Sequence, residues 1–212
     1  MNDRLNQAKE LLLSPTAIDE TAIEKVMNTM MRTSLDDADL YFQTSFYESW
    51  QLEDSQVKSG SYSIDKGVGI RAVSEDKTGF AYSDDIELPA MLRAAEAARS
   101  IALFEKEHHK PLVVKTASPN RYQGINPIDS MSKQEKIALL EAIDKEARVQ
   151  DPRVIQVNAS LNSSYEATMI AGMNQEMIAD IRPLVSINVS VIVEDKNGRR
   201  ESARSGGGGE LP

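Results

Sequence analysis

The sequence predicts an α+β protein of two domains, each an antiparallel or mixed sheet with helices packed on one face. Three observations carry this. Stripes of apolar residues at helical spacing recur near the start of the chain, at about 87–104 and at 132–149. Runs with period-2 alternation lie at 39–50 and 185–193, so strands and helices both contribute. Between them, residues 105–130 show no clean period and are divided by Pro111, Pro119 and Pro127. Domains are therefore expected at 1–110 and 131–212, joined by a connector at 111–130.

Taken in order, the first helix rests on Leu5, Ala8, Leu11 and Leu12, and Ser14-Pro15 stops it, because the residue before proline avoids the helical region. A second helix is expected from about Asp19 to Arg32, with Thr21 and Glu24 at capping-box spacing and Ile23, Val26, Met27, Met30 and Met31 as its apolar side. In 39–50, Leu40, Phe42, Thr44 and Phe46 alternate with Tyr41, Gln43, Ser45 and Tyr47, which suits a pleated sheet. A hairpin through 50–59 leads to a strand at 61–73, interrupted by Gly67 and Gly69 on one face. A bulge or tight sheet packing explains these glycines better than close approach by another backbone. A strand at 78–83 precedes the helix at 87–104, whose small alanines should let it lie close to a sheet; Asp84 and Asp85 are its cap candidates.

In the second half, Ser132 and Glu135 make a capping box for a helix carrying Ile137, Leu140, Ile143, Asp144 and Ala147. The run Glu141, Asp144, Lys145 and Glu146 reads as a solvated face. A strand is expected at 154–161, a turn at Asn162-Ser163-Ser164, a return strand at 165–171, and another turn at 172–174. Val185, Ile187, Val189, Val191 and Val193 form one face of a half-buried strand, and Asn197-Gly198 signals a type I′ hairpin returning at 199–204. The run Gly206–Gly209 is expected to be poorly ordered, and the β-rich half to leave its core incomplete.

Composition narrows the chemistry. With 212 residues, 41% of them hydrophobic, the chain can bury a substantial core. A net charge of −9 disfavours nucleic-acid phosphates. No signal peptide or run of about 18 apolar residues is visible, so a cytoplasmic protein without a membrane span is expected. There is no cysteine, and the two histidines, His108 and His109, are adjacent, a poor metal pair because neighbouring helical side chains diverge by about 100°. Neither an HExxH helix nor a GxSxG elbow is present, and Ser205-Gly206 resembles neither a nucleophile elbow nor an anion nest. No catalytic, cofactor-binding or metal-ligating residue is therefore assigned.

Two long stretches carry a resemblance. The first is DADLYFQTSFYESWQLEDSQVKSGSYSIDKGVGIRAVSEDKTGFAYSDDI, residues 37–86; the second comprises NPIDSMSKQEKIALLEAIDKEAR and ADIRPLVSINVSVIVEDKNGRRESARSGGGG. They resemble the amino-terminal pattern of the TldD–TldE (PmbA) zinc metalloprotease family, and the first stretch is nearer the TldD version than the TldE version. The resemblance implies a cytoplasmic metalloprotease subunit that pairs with a TldE-like partner. It implies action on unfolded peptides, including the precursor of a gyrase-targeting toxin and an antitoxin. The family's zinc ligands, two histidines in HExxxH and a downstream cysteine, belong to a carboxy-terminal domain and match no position here. Activity of this chain alone, and zinc binding by it, are therefore not expected. The competing readings are a stand-alone module that captures extended peptides on an exposed strand, and a purely structural assembly domain.

Overall fold

The computed structural model describes residues 2–31, 35–103, 122–173 and 177–211. Helix α1 (Asn2–Leu12) gives way to a 3-10 turn at Ser14–Thr16, and Ala17 ends that turn with a left-handed φ of 55°. Helix α2 (Glu20–Met30) is capped by Asp19, whose carboxylate accepts the Ala22 N–H at 2.8 Å. The expected box at Thr21 and Glu24 gives way to this aspartate, the stronger cap type, which stands nearer the helix start.

Six strands follow: β1 (Asp37–Glu53), β2 (Gln56–Ser74), β3 (Lys77–Ser83), β4 (Val154–Gly172), β5 (Ile178–Glu194) and β6 (Arg200–Gly209). They hydrogen-bond in the order β3-β2-β1-β4-β5-β6. Between β3 and β4 the chain forms helices α3 (Leu88–Leu103) and α4 (Lys133–Gln150). Where the sequence suggests a sheet per domain, the hydrogen bonding is one continuous ladder order. The strands are also longer than their sequence signals: β2 and β4 each run 19 residues. The expected turn at Asn162–Ser164 does not form. Asn162 instead accepts the Ser49 hydroxyl at 2.8 Å, and Leu161, Ser163 and Tyr165 continue the buried row. Turn-favouring side chains satisfied across a sheet no longer compete for their own backbone.

Two turns show how local chemistry sets the pairing. Asp54 and Ser55 both have positive φ, 50° and 63°, the mark of a type I′ hairpin between β1 and β2. At Asn197-Gly198 only Gly198 has positive φ, 77°, so the expected type I′ turn is not made. Asp195 organises this turn: its carboxylate accepts the N–H groups of Asn197 and Arg199, and its carbonyl accepts the Gly198 N–H at 3.0 Å. An Asx-type turn with glycine in the left-handed position results.

The chain divides into two compact units. The first takes Met1–Ser45, Asp65–Arg121 and Glu166–Ile181. Its core holds Leu40 and Phe42 from β1, Val68 and Ile70 from β2, Met169 from β4, Leu12, Val26 and Met30 from α1 and α2, and Met91 and Ala98 from α3. Helix α3 lies against β3 and α2. Its alanines permit close approach, as expected, and β3 contributes a glycine at the contact: a Cβ on Gly79 would stand 1.8 Å from the Ala98 carbonyl oxygen. The cap candidates Asp84 and Asp85 are displaced, because the first helical bond runs from Met91 N–H to the Glu87 carbonyl; Ser83 closes the preceding turn on Asp85. On the opposite face of β1 and β2, Arg71 donates to Asp39 at 2.6 Å and to Asp37 at 3.0 Å. Its bond to Asp39 is the main reason its pKa rises above the usual arginine value.

The second unit takes Phe46–Ile64, Tyr122–Tyr165 and Arg182–Pro212. Its core is Leu52, Leu140, Ala159, Leu161 and Val185, with Trp50, Leu139, Ile143, Ile187 and Val189 partly buried around it. Helix α4 has the capping box the sequence predicts: Ser132 Oγ accepts the Glu135 N–H, and the Glu135 carboxylate accepts the Ser132 N–H. That backbone bond is the first cause of a lowered Glu135 pKa. Beyond the helix, the Asp151 carboxylate accepts bonds from the Arg153 side chain and backbone, which lower its pKa from 3.8 to about 2. A carboxylate depressed in the folded state contributes stability above its unfolded pKa and loses it as pH falls through the folded one. An NMR titration should therefore find the Asp151 midpoint near the depressed value, with its contribution fading between pH 3.8 and about 2. Arg153→Gln should return the midpoint toward that of an ordinary aspartate.

Candidate functional site

The second unit ends in a strand that is unusual for an edge. All ten residues of β6 are exposed. Its register against β5 runs from Glu194↔Arg200 through Val189↔Ser205 to Val185↔Gly209, so the glycine run expected to be poorly ordered is paired throughout. Because Val185, Ile187 and Val189 belong to the α4-side core, their partners Gly209, Gly207 and Ser205 lie on that face. Asn188, Ser190, Gly206 and Arg204 lie on the other. β6 closes the strand order, so its outer backbone edge has no neighbour among the described strands.

Two cavities adjoin this strand. One, of about 450 Å³, is apolar and floored by Val185, Ile187, Val189, Gly206–Gly209 and Leu211. It exists because the glycines bring no side chains to cover the outer part of the β-branched row, while α4 covers Val185. The other, of about 390 Å³, is polar: Gln51, Glu53, Lys58, Asn158, Ser160, Asn188, Ser190 and Arg204 line it. Most of its groups are neutral hydrogen-bonding side chains, from alternate residues of neighbouring strands.

The four glycines are not equivalent. A Cβ on Gly208 would stand 2.6 Å from the Val185 carbonyl oxygen, a backbone clash that requires glycine; one on Gly206 would stand 2.6 Å from Asn188 Oδ1, which a turn of that side chain relieves, and 3.1 Å from the Ile187 carbonyl oxygen. At Gly207 a Cβ would meet nothing within 4 Å, and at Gly209 only the Leu211 carbonyl oxygen, at 3.7 Å. Neither has positive φ. Elsewhere, strand glycines seat aromatic rings: a Cβ on Gly60 would strike the Trp50 indole at 2.8 Å, and one on Gly69 would meet the Phe80 ring at 3.1 Å. The same pattern supports the packing explanation for Gly67, whose Cβ would lie 3.0 Å from the Ser83 carbonyl oxygen.

Other charged groups in this unit are structural. Asp144, grouped with a solvated face on sequence grounds, is buried. It accepts the Ser55 hydroxyl at 2.7 Å and Arg148 Nε at 3.1 Å, while Arg148 also reaches Asp54 at 3.2 Å. This locks the β1–β2 hairpin tip to α4. Its companions Glu141, Lys145 and Glu146 are exposed as expected. Lys136 and Glu48 form a buried pair that sequence reasoning missed, because a lysine at a core position of a helical stripe gives no warning of its partner 88 residues away. His108 and His109 lie outside the described residues. Among the described residues no three His, Cys, Asp or Glu side chains gather in a way that could hold a metal. With no cysteine in the sequence, a cysteine-ligated zinc site is excluded within it.

Comparison with known proteins places the chain. Residues 38–102 match the family described as PmbA/TldA metallopeptidase domain 1, and residues 126–211 the PmbA/TldA metallopeptidase central domain. The chain is 44% identical over 209 residues to a metalloprotease TldD homolog of Haemophilus influenzae, covering 98% of this chain and 43% of that protein. It is 42% identical over 200 residues to the homolog of Buchnera aphidicola subsp. Acyrthosiphon pisum, covering 94% and 41%. It thus spans less than half the length of the curated relatives it matches. Among solved structures, a protein described as a modulator of DNA gyrase from Bacteroides thetaiotaomicron superposes with a TM-score of 0.74 at 14% identity, over 91% of this chain and 45% of that one. TldE from Thermococcus kodakarensis gives 0.73 at 13% identity, over 89% and 43%. These identities show a shared fold.

Proposed function

The chain belongs to the PmbA/TldA metallopeptidase family, and we propose that it forms the amino-terminal part of a TldD-like subunit that works with a TldE-like partner in the cytoplasm to hydrolyse unfolded peptides at a zinc centre. The observation that carries this is the order and extent of the match: domain 1 and then the central domain, with TldD-type relatives 44% identical over nearly the whole chain. No hydrolytic step is assigned to these residues, because no group of three His, Cys, Asp or Glu among the described residues could hold a metal. Their part is architectural: they hold strands and clefts beside the peptide and the partner. We divide them as the sequence suggests, with the connector at 111–130 joining the regions that match the two family domains. No described helix is long and apolar enough to cross a membrane.

A second reading, a stand-alone binding or assembly module, is favoured by one feature, the outer edge of β6, which has no neighbour among the described strands. Two measurements separate the readings. Under the first, the chain captures a TldE-like subunit in a pull-down. The longer gene product co-expressed with that subunit also cleaves an unfolded peptide, and a chelator stops it. Retention of peptide by the chain with no capture of a TldE-like subunit, and no cleavage by the longer protein, would favour the second.

A further inference from the structure

We propose that Asn197-Gly198 is a site of spontaneous deamidation, and that the turn built on Asp195 sets its rate. The reaction begins when the backbone nitrogen of the following residue attacks the asparagine side-chain carbon, Cγ. The proton of that nitrogen leaves with the side-chain amide nitrogen as ammonia, and a cyclic imide forms. Water then opens the imide. Attack at Cγ gives aspartate; attack at the backbone carbonyl gives isoaspartate, whose main chain carries an extra methylene. In sum, an amide and a water become a carboxylic acid and ammonia. The step needs an unshielded nitrogen and an asparagine free to turn onto it. Of the asparagines in the sequence, only Asn197 precedes glycine, which has no side chain to shield its nitrogen. Both residues are exposed, and even a Cβ on Gly198 would meet nothing within 4 Å. Asn162, followed by the small Ser163, is the contrast. It lies within β4, accepts the Ser49 hydroxyl at 2.8 Å and donates to the Ser160 hydroxyl at 3.3 Å, and Ser163 is buried. Its side chain is held, and the nitrogen it would need is shielded.

The folded turn restrains the reacting groups. The Gly198 N–H donates to the Asp195 carbonyl at 3.0 Å, so the attacking nitrogen is tied to its own turn. The Asp195 carboxylate accepts the Asn197 N–H at 2.8 Å and the Arg199 N–H at 2.9 Å. The Asp195 N–H donates to the Arg199 carbonyl at 2.9 Å and closes the loop. Attack therefore waits on local opening, and its rate follows the open fraction. The product then weakens what delayed it. Either acid sets a second carboxylate beside Asp195, and isoaspartate lengthens the main chain between the two N–H groups that the Asp195 carboxylate spans. All the groups concerned lie within residues 195–199, so the step requires no ligand, partner or vacant surface.

The test follows the 212-residue chain in neutral buffer by peptide mapping and mass spectrometry, with a separation that distinguishes aspartate from isoaspartate. A blocked peptide of residues 194–200 gives the rate of the open turn. Deamidation of the chain is expected at Asn197, with Asn162 intact, and at a rate about fivefold or more below that of the peptide, since opening breaks the hydrogen bonds of the turn. Asp195→Ala should recover most of that difference. Asp195→Ser, whose hydroxyl supports the same kind of turn more weakly, should fall between the parent and the alanine variant. Amide exchange along β5 shows that each variant is folded. Asn197→Gln should abolish the modification at the turn and leave the melting temperature unchanged. Equal rates in the chain and the peptide, folded Asp195 variants that react no faster than the parent, or earlier modification at Asn162 would each overturn the proposal.

Discussion

Gly79→Ala is expected to detach α3 from β3 and to cost the first unit more than about 3 kcal/mol, beyond the ordinary range for one added methylene. The added Cβ would stand 1.8 Å from the Ala98 carbonyl oxygen and 2.8 Å from the Ala102 amide nitrogen. Both obstacles are backbone, so no rotamer change relieves the contact; the helix itself has to shift. That shift loosens Met91, Ala95, Ala98 and Ala102, all fully buried. A loss of this size is a large share of the roughly 5–15 kcal/mol that holds a typical domain together. Urea titration followed by far-UV circular dichroism should show an early transition or an already unfolded helical component. Gly207→Ala is the matched control: its Cβ meets nothing within 4 Å, so a change within about 0.5 kcal/mol is expected. A Gly79→Ala protein with near wild-type stability would mean that α3 does not lie on β3 at this distance.

The same two glycines show which parts of the structure were legible in the sequence. Period-2 alternation at 39–50 and 185–193 located most of β1 and the second half of β5, and Ser132 with Glu135 located the start of α4, because each of these signals is local. Strand ends were less legible. β4 passes straight through Asn162-Ser163-Ser164, and the side-chain partner of Asn162 comes from a strand more than a hundred residues earlier. The α2 cap shifted for a simpler reason: Asp19 and Thr21 both stood near its start, and Asp19 holds the cap position. Gly79 carried no signal of its own within the strand expected at 78–83, and Gly207 belonged to a run expected to be poorly ordered. Only the tertiary neighbours distinguish a glycine crowded by a helix from one left open. The candidate site was legible only as a missing motif and an exposed-edge suspicion. Its particulars, the two cavities, require the register of β6 on β5.

Lys136→Ala is expected to be the most destabilising charge change in the second unit, by roughly 3–5 kcal/mol, the range for stranding one member of a buried ion pair. The Lys136 side chain is 4% exposed and that of Glu48 13%. The ammonium donates to Glu48 Oε2 at 2.5 Å and to the Ile128 carbonyl at 2.6 Å. Both acceptors lose their donor in the alanine variant, and the carboxylate stays in a site with little water. Glu48→Gln should cost less, about 1–3 kcal/mol, because the amide oxygen still accepts from the ammonium and the Ile128 carbonyl bond persists. Removing both charges with apolar side chains of similar length, Lys136→Met with Glu48→Leu, should recover most of the loss, since attraction within a buried pair does little more than offset its desolvation. The residual deficit should be the unsatisfied Ile128 carbonyl. Urea titrations rank these costs, and adding the single Lys136→Met and Glu48→Leu variants completes the cycle that gives the coupling energy. If Lys136→Ala costs less than about 1 kcal/mol, the pair behaves as a solvent-exposed one, and the start of α4 is held by its capping box and by Leu140 rather than by this contact.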